Sequence, residues 1–306
     1  MDRETLPRET REKGRETKRT LLPWASRADE GLVRVREYHC TACMGDPPSE
    51  ERFERASIAV VRAGVFGIRT EKHPRILSAG FLLLGNAGQN YEASHEHAVG
   101  DRCLVFDFHG LALENLAETL RKGAGREPFS RNVLPPDPRV DAIRVLAEEA
   151  LAGEPTSASL EELGLWLGAH AIDLAGQGTA RSESDPTKGR KARDIVVGAM
   201  TSIERSSERA LPLADLASAA KLTPFHFLRL FKRETGMTPH RFLLQTRIRR
   251  AIPWLRETSR PITEIAYAVG FGDLSNFINT FRREIGCSPR QYRQSGLSGL
   301  PARPRK

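Results

Sequence analysis

Nothing in this 306-residue chain approaches the roughly 18 consecutive apolar residues that a bilayer span requires. Cysteine is scarce too: Cys40, Cys43, Cys103 and Cys287 are too few for a disulfide scaffold. The charged opening of the chain lacks the apolar core of a secretory signal. These shortages speak against a membrane partner and against a disulfide-stapled secreted domain, and they predict a cytoplasmic location. What the chain does have is ordinary apolar content, 39%, and length enough for two domains.

Charge is unevenly divided. Residues 191–306 hold 21 Lys+Arg against 9 Asp+Glu, whereas residues 1–190 hold 26 against 30, so the whole basic excess of +8 comes from the C-terminal part. A basic segment joined to a mildly acidic one predicts polyanion binding by the first and a different task for the second.

The basic part also contains a repeat. Phe231-Lys232-Arg233-Glu234-Thr235-Gly236 returns fifty residues later as Phe281-Arg282-Arg283-Glu284-Ile285-Gly286, followed by Thr238-Pro239-x-x-Phe242 and Ser288-Pro289-x-x-Tyr292. Upstream, Leu213-x-x-Leu216-Ala217 returns as Ile262-x-x-Ile265-Ala266 at an offset of 49, which places a one-residue insertion in one turn. Each copy has the layout of a helix-turn-helix. Two such units about one DNA turn apart, roughly 34 Å, can read successive major-groove segments.

Local signals mark the helices. One helix is expected over about Ala192–Ser206 and a second over about Leu213–Ala220. Thr223-Pro224 supplies an N-cap and a proline at the first helical position of a third, which Gly236 ends. A long helix runs from Thr238-Pro239 towards Glu257, a short one from Pro261 to Val269, and a last from the Asp273 cap to Ile285, where Gly286 stops it. On the second helix of each copy, Phe227 and Phe231, and likewise Phe277, Phe281 and Ile285, mark a core face. The opposite faces carry Phe225, Leu228, Arg229 and Lys232 in the first copy, and Ser275, Ile278, Asn279 and Arg282 in the second. Arg can pair with guanine, Asn with adenine, and apolar side chains can cover thymine methyls. The Arg247-Ile248-Arg249-Arg250 run is a candidate for contacts to the phosphate backbone.

The N-terminal part reads differently. Residues 1–30 repeat Arg-Glu-Thr three times and are expected to be disordered. From about 31 to 110 come short strands (Ile58 and Val60 alternating, Val65–Ile68, Phe81–Leu84, Cys103–Phe108), suggesting a small barrel or sandwich. Three helical stripes follow: Leu113/Leu116/Leu120, Val140/Ile143/Ala147 and Leu160/Leu163/Leu167/His170/Leu174. Gly176 to Arg190 has linker composition.

Residues from roughly 193 to 293 resemble the AraC/XylS-type regulator domain. The matching text includes Leu216-Ala217, Phe227-x-Arg229-x-Phe231-Lys232, Gly236-x-Thr238-Pro239, Ile262-x-x-Ile265-Ala266, Val269-Gly270-Phe271-x-Asp273-x-Ser275-x-Phe277 and Gly286-x-Ser288-Pro289. The resemblance implies an α+β protein. A cupin-like β-barrel with flanking helices (31–175) would be joined by a linker (176–190) to an all-α, seven-helix, double helix-turn-helix domain (191–295), with a flexible tail at 296–306. It implies a transcription factor, most often an activator, that reads promoter duplex DNA, works with RNA polymerase, responds to a small effector and forms a homodimer. Base-reading positions then fall on Phe225, Leu228 and Arg229, and on Leu274, Ser275, Ile278 and Asn279, with His226, Lys232 and Arg282 as further DNA-binding residues. Pro253 departs from the pattern and is expected to kink the connecting helix.

No enzymatic activity and no cofactor are called for. The alternative is a metal-dependent cupin enzyme with a DNA-binding appendage: His95, His97 and Asp101 partly resemble a cupin metal motif, with His109 as a candidate for its later histidine. Cys40-x-x-Cys43, with Cys103, is a candidate thiol or zinc site, but a lone CxxC pair is a weak signal. An alkylation-repair protein, in which an AraC-like domain accompanies a methyl-accepting cysteine, would need a zinc-type cysteine cluster that the chain lacks. His170, on an apolar stripe, reads as a packing residue.

Overall fold

The protein is described by a computed structural model over residues 19–20, 31–40, 42, 46–70, 73–95, 100–121, 127–176 and 186–295. The tail expected at 296–306, nearly all of that at 1–30, and the candidate residues Cys43 and His97 lie outside this range.

The N-terminal half contains two antiparallel sheets. One has the order β1 (Arg19–Thr20), β2 (Val33–Cys40), β9 (Asp101–Phe108), β4 (Ser57–Ala63), β7 (Leu82–Gly85) and β10 (Val133–Leu134). The other has the order β3 (Ser49–Arg52), β8 (Asn90–His95), β5 (Val65–Thr70) and β6 (His73–Ser78). The β4–β9 register shifts between Val61 and Ala63, and Gly64 at φ 95° turns the chain directly into β5 of the other sheet. The ladder therefore breaks at that corner instead of continuing around it. Among the described residues no strand pairs across the two sheets, so the expected closed barrel is corrected to an open sandwich.

Both faces of the larger sheet are covered. Ser57 to Val61 are all buried, so the alternation at Ile58 and Val60 marks one face while Ala59 and Val61 serve the other. Ala59, Val61, Cys103 and Val105 face the second sheet, whereas Ile58, Val60, Leu104 and Phe106 meet helices α1 (Ala112–Arg121), α2 (Pro138–Leu151) and α3 (Leu160–Gly176). Ser159 opens α3 with a capping box: the Glu162 amide donates to Ser159 Oγ at 3.2 Å, and the Ser159 amide donates to Glu162 Oε2 at 2.8 Å. Gly164 lets α3 lie against β2, because a Cβ there would sit 2.5 Å from Val33 Cγ1.

The C-terminal domain consists of α4 (Pro186–Ser206), α5 (Leu213–Ala219), α6 (Pro224–Thr235), α7 (Pro239–Glu257), α8 (Ile262–Ala268), α9 (Leu274–Ile285) and α10 (Pro289–Ser295). Helix α4 opens at Pro186, earlier than the expected Ala192, and takes up part of the expected linker. A proline start followed by Lys, Arg and Ala favours helix there. Helix α7 runs as one helix through Pro253 and ends a turn later at Glu257, so the missing N–H removes a bond only near its C-terminal end.

The two halves share their apolar cores, and they do so twice. Phe227, Phe231 and Phe242 belong to one cluster with Phe66, Ile76, Leu77 and Phe81 of the smaller sheet and its flank. Ile252, Leu255, Phe277 and Phe281 belong to another with Val145 and Leu146 of α2 and the outer face of the larger sheet. The Phe81 and Phe242 rings lie 6.4 Å apart. Arg256 donates to both oxygens of Glu149 on α2, at 3.0 and 2.7 Å. Gly80, at φ 91°, leaves room for the Arg249 guanidinium, which would stand 2.2 Å from a Cβ.

Candidate nucleic-acid interface

The sequence repeat is a repeat of geometry. A short helix, α5 or α8, is followed by a turn and then by a twelve-residue helix, α6 or α9. Thr223 Oγ1 accepts from the His226 amide at 3.4 Å, and Asp273 Oδ1 accepts from the Asn276 amide at 2.6 Å. Each long helix ends on a left-handed glycine, Gly236 at φ 80° and Gly286 at φ 101°. The turns differ by the expected residue, spanning 220–223 in one unit and 269–273 in the other. The left-handed position is Lys221 (φ 54°) in the first turn and Gly270 (φ 101°) in the second. A Cβ on Gly270 would lie 2.7 Å from the Ser207 carbonyl oxygen, so only glycine fits there.

The expected faces separate cleanly. Phe227, Phe231, Phe277 and Phe281 are fully buried. Phe225, His226, Arg229 and Lys232 on α6 are exposed, as are Ser275, Asn279 and Arg282 on α9. The Arg229 guanidinium lies over the Phe225 ring, 5.7 Å from its centroid. Leu228, Leu274 and Ile278 are half-buried, and the last two pack against the core, so they offer only their edges to a partner.

The expected phosphate-contact run is not available as such. Arg247 donates from Nε to the Ser207 carbonyl at 2.7 Å and from Nη2 to the Arg209 carbonyl at 2.8 Å. Arg250 donates to Glu208 Oε2 at 3.1 Å and to the Glu204 carbonyl, and Ile248 is fully buried. Arg249 lies at the join of the two halves, with Asp141 of α2 and Glu204 of α4 as its acidic neighbours. The cause is the position of α7: it is the central helix, so Arg247, Arg249 and Arg250 meet carbonyls and carboxylates of neighbouring segments.

A second feature lies between the two sheets. A cavity of about 350 Å³ is lined by alternate residues of β2 (Arg34, Arg36, Tyr38, Cys40) and of β9 (Asp101, Cys103, Val105, Asp107), with Phe53, Tyr91 and His95 across it. At one end Arg36 Nε donates to Asp107 Oδ2 at 2.7 Å. At the other, Cys40 Sγ lies 3.8 Å from His95 Nδ1, and the ligand atoms of Cys40, His95 and Asp101 fall within 4.8 Å of one another. Burial drives the Asp101 carboxyl up to about 7; a hydrogen bond from the Cys40 thiol opposes the rise, and the Glu51 charge adds to it.

The two expected metal groupings thus exchange members. Asp101 and His95 come together with Cys40 of the CxxC pair, and Cys103 lines the same space. His109 does not join them: its Nδ1 lies 2.9 Å from Arg55 Nη1 beyond the far end of β9. His170 is a packing residue with a partner, its Nε2 lying 3.0 Å from Asp137 Oδ2. The period-two run of polar residues in β2 was the available signal for the cavity wall, but the register that joins Cys40 to Asp101 belongs to the fold.

Two helix-turn-helix units with buried aromatic faces and polar outer faces, built into a basic helical domain, define a double helix-turn-helix module. Comparison with known proteins agrees. Residues 216–295 match the family model described as a helix-turn-helix domain, and this C-terminal domain is of the AraC type. The chain is 36% identical over 90 residues to the probable transcriptional regulator LumQ of Photobacterium leiognathi, covering 29% of this chain and 36% of that one. It is 47% identical over 72 residues to the HTH-type transcriptional activator RhaS of Enterobacter sp. (strain 638), covering 24% of this chain and 26% of that one. Among solved structures it is similar to the C-terminal domain of AraT, a response regulator from Geobacillus stearothermophilus, at 30% identity and a TM-score of 0.32, over 37% of this chain and 88% of that one. The chain therefore spans about a third or less of the length of the curated relatives it matches. Among the described residues, no helix is long and apolar enough to cross a membrane.

Proposed function

We propose that this protein is a sequence-specific double-stranded-DNA-binding regulator of transcription, with α6 and α9 as its two major-groove helices. The observation that carries the reading is the duplicated unit itself, with the same caps, the same buried aromatic pair and an outward polar face in both copies. Arg229 and Asn279 hold the hydrogen-bonding positions. Phe225, Leu228, Leu274 and Ile278 supply apolar edges, and His226, Lys232, Ser275 and Arg282 supply polar or charged contacts. The partners are promoter DNA, RNA polymerase and a second copy of the chain, in the cytoplasm.

The two-sheet half acts as the sensor, its cavity receiving a small effector. The shared cores supply a route from cavity to DNA, because the first unit packs on one side of the sandwich and the second on the other. A change in the spacing of the sheets then changes the relation between the two readers. The reading assigns no catalysis.

Selection of duplexes from a random pool by the full-length chain tests the proposal. It expects a site with two conserved segments about one helical turn apart and binding that weakens steeply with salt. Absence of duplex binding at low ionic strength, or unchanged binding and footprints for both Arg229→Ala and Asn279→Ala, overturns it.

A further inference from the structure

We infer that the Cys40–Asp101 end of the cavity is a binding site for a borderline divalent transition-metal ion, held by Cys40 Sγ, His95 Nδ1 and the Asp101 carboxylate, and that this ion is an effector of DNA reading. The second half of the inference rests on the proposed regulator function. The first rests on the donor set alone.

The three donors come from three strands and from both sheets. Cys40 and Asp101 are directly paired residues of β2 and β9, and His95 ends β8 on the facing sheet. Two ligands bound to zinc at about 2.3 Å (sulfur) and about 2.0 Å (nitrogen) with a tetrahedral angle lie about 3.5 Å apart. The observed Sγ–Nδ1 separation of 3.8 Å is close to that edge, and the carboxylate oxygen completes a triangle within 4.8 Å. A thiolate with an imidazole selects zinc, cobalt, nickel or copper over magnesium or calcium, which prefer all-oxygen shells. Three protein ligands leave the fourth position facing the cavity.

Burial supports the same assignment. Cys40 is 9% exposed and Asp101 5%. The Glu51 carboxylate neighbours this buried corner, whereas Asp107 at the other end of the cavity has Arg36. Two acids crowded into a buried corner are what a divalent cation relieves: binding releases the thiol proton and offsets both burial costs. An ion at this point also ties β8 of the smaller sheet to β2 and β9 of the larger one. That is the spacing to which the two helix-turn-helix units are attached.

The test uses metal-stripped, reduced, full-length protein titrated with Co²⁺. The expected result is a one-to-one endpoint with a thiolate-to-cobalt charge-transfer band. That band is lost in Cys40→Ser, weakened by at least about tenfold in apparent affinity in His95→Gln and Asp101→Asn, since loss of even an outer-shell partner typically costs that much, and retained in Cys287→Ser. Asp101→Asn, nearly isosteric and uncharged, keeps the experiment decisive where the cysteine variant fails to fold. A wild-type chain with no band, or a band that survives in both Cys40→Ser and Asp101→Asn, overturns the site. The same preparations are then assayed on a selected duplex with and without Zn²⁺. A change in affinity of roughly tenfold that vanishes in Asp101→Asn is expected for an effector. Equal duplex binding with the site filled and empty removes the effector role. A bound ion with no duplex binding in either state leaves the metal site standing and removes the regulator reading instead.

Discussion

The two helix-turn-helix units are near-copies in their caps and cores, yet they differ in three places, and the differences separate what folding requires from what recognition requires. The turn of the first unit tolerates a lysine at its left-handed position, exposed at Lys221, whereas the second is pressed so closely against Ser207 and Glu208 that Gly270 is obligatory. The first reading face carries Phe225 and Arg229 where the second carries Ser275 and Asn279. The first unit shares its core with the smaller sheet and the second with α2 and the larger sheet. Core positions are thus conserved between the copies, while the outward positions and the attachments have diverged, as expected of two readers that meet different bases.

The sharpest way to break this comparison is at the turns. Gly270→Ala is expected to cost about 2–4 kcal/mol, since it combines a left-handed alanine with a backbone clash. Lys221→Gly is expected to change stability by less than about 1 kcal/mol, because strain relieved in the fold is offset by added freedom in the unfolded chain. Chemical denaturation of the full chain measures both, and similar losses at the two positions would contradict the asymmetry.

Recognition comes next in size. Arg229→Ala and Asn279→Ala should each lower specific affinity by about 1–3 kcal/mol, with specificity relaxed at different segments of the site. Lys232→Ala should weaken binding to all sequences alike and lower the salt slope by about 1. Competition binding against single-base variants of a selected site distinguishes these outcomes, and relaxation of the same base in both Ala variants would mean that the two helices do not read separate segments.

The caps give a finer contrast. The shorter Asp273 carboxylate cap should matter more than the long Thr223 one, with losses of about 1–2 kcal/mol for Asp273→Ala and about 0.5–1 kcal/mol for Thr223→Ala. Equal thermal shifts would remove the distinction.

The smallest effect concerns the join of the first unit. Burial holds the Glu204 carboxyl above its ordinary range, with Arg249 and the Ser78 hydroxyl pulling the other way. A folded-state pKa above the unfolded one means that the folded chain binds the proton more tightly. The resulting contribution is fully present in acid and is lost as pH rises through the folded value. Glu204→Gln should therefore flatten that part of the stability–pH profile, and an unchanged profile would show that Glu204 is not the titrating group.

Much of the C-terminal domain was legible because its cues are local. Thr223, Asp273, Gly236 and Gly286 act within one turn of their own positions, and the aromatic spacing at Phe227/Phe231 and Phe277/Phe281 needs no tertiary knowledge. What was not legible depends on distant partners. The arginines at 247, 249 and 250 look solvent-directed in sequence, but each finds a carbonyl or carboxylate supplied by another part of the chain. Strand signals could not distinguish barrel from sandwich, since the choice depends on whether the edge strands of the two sheets pair with each other. The grouping of Cys40 with His95 and Asp101 needs both the β2–β9 register and the approach of the second sheet, neither of which a linear motif encodes.

The doubled join between the halves has a consequence for ancestry. A lineage that traded its sensing half for an unrelated one would bare Phe242 and Ile252 together and orphan the Arg256 guanidinium, so a successful exchange must import matching aromatic and acidic surfaces at two separate places. The halves of this chain should consequently have drifted as a matched pair, with substitutions near Phe81 or Glu149 answered by substitutions on α7.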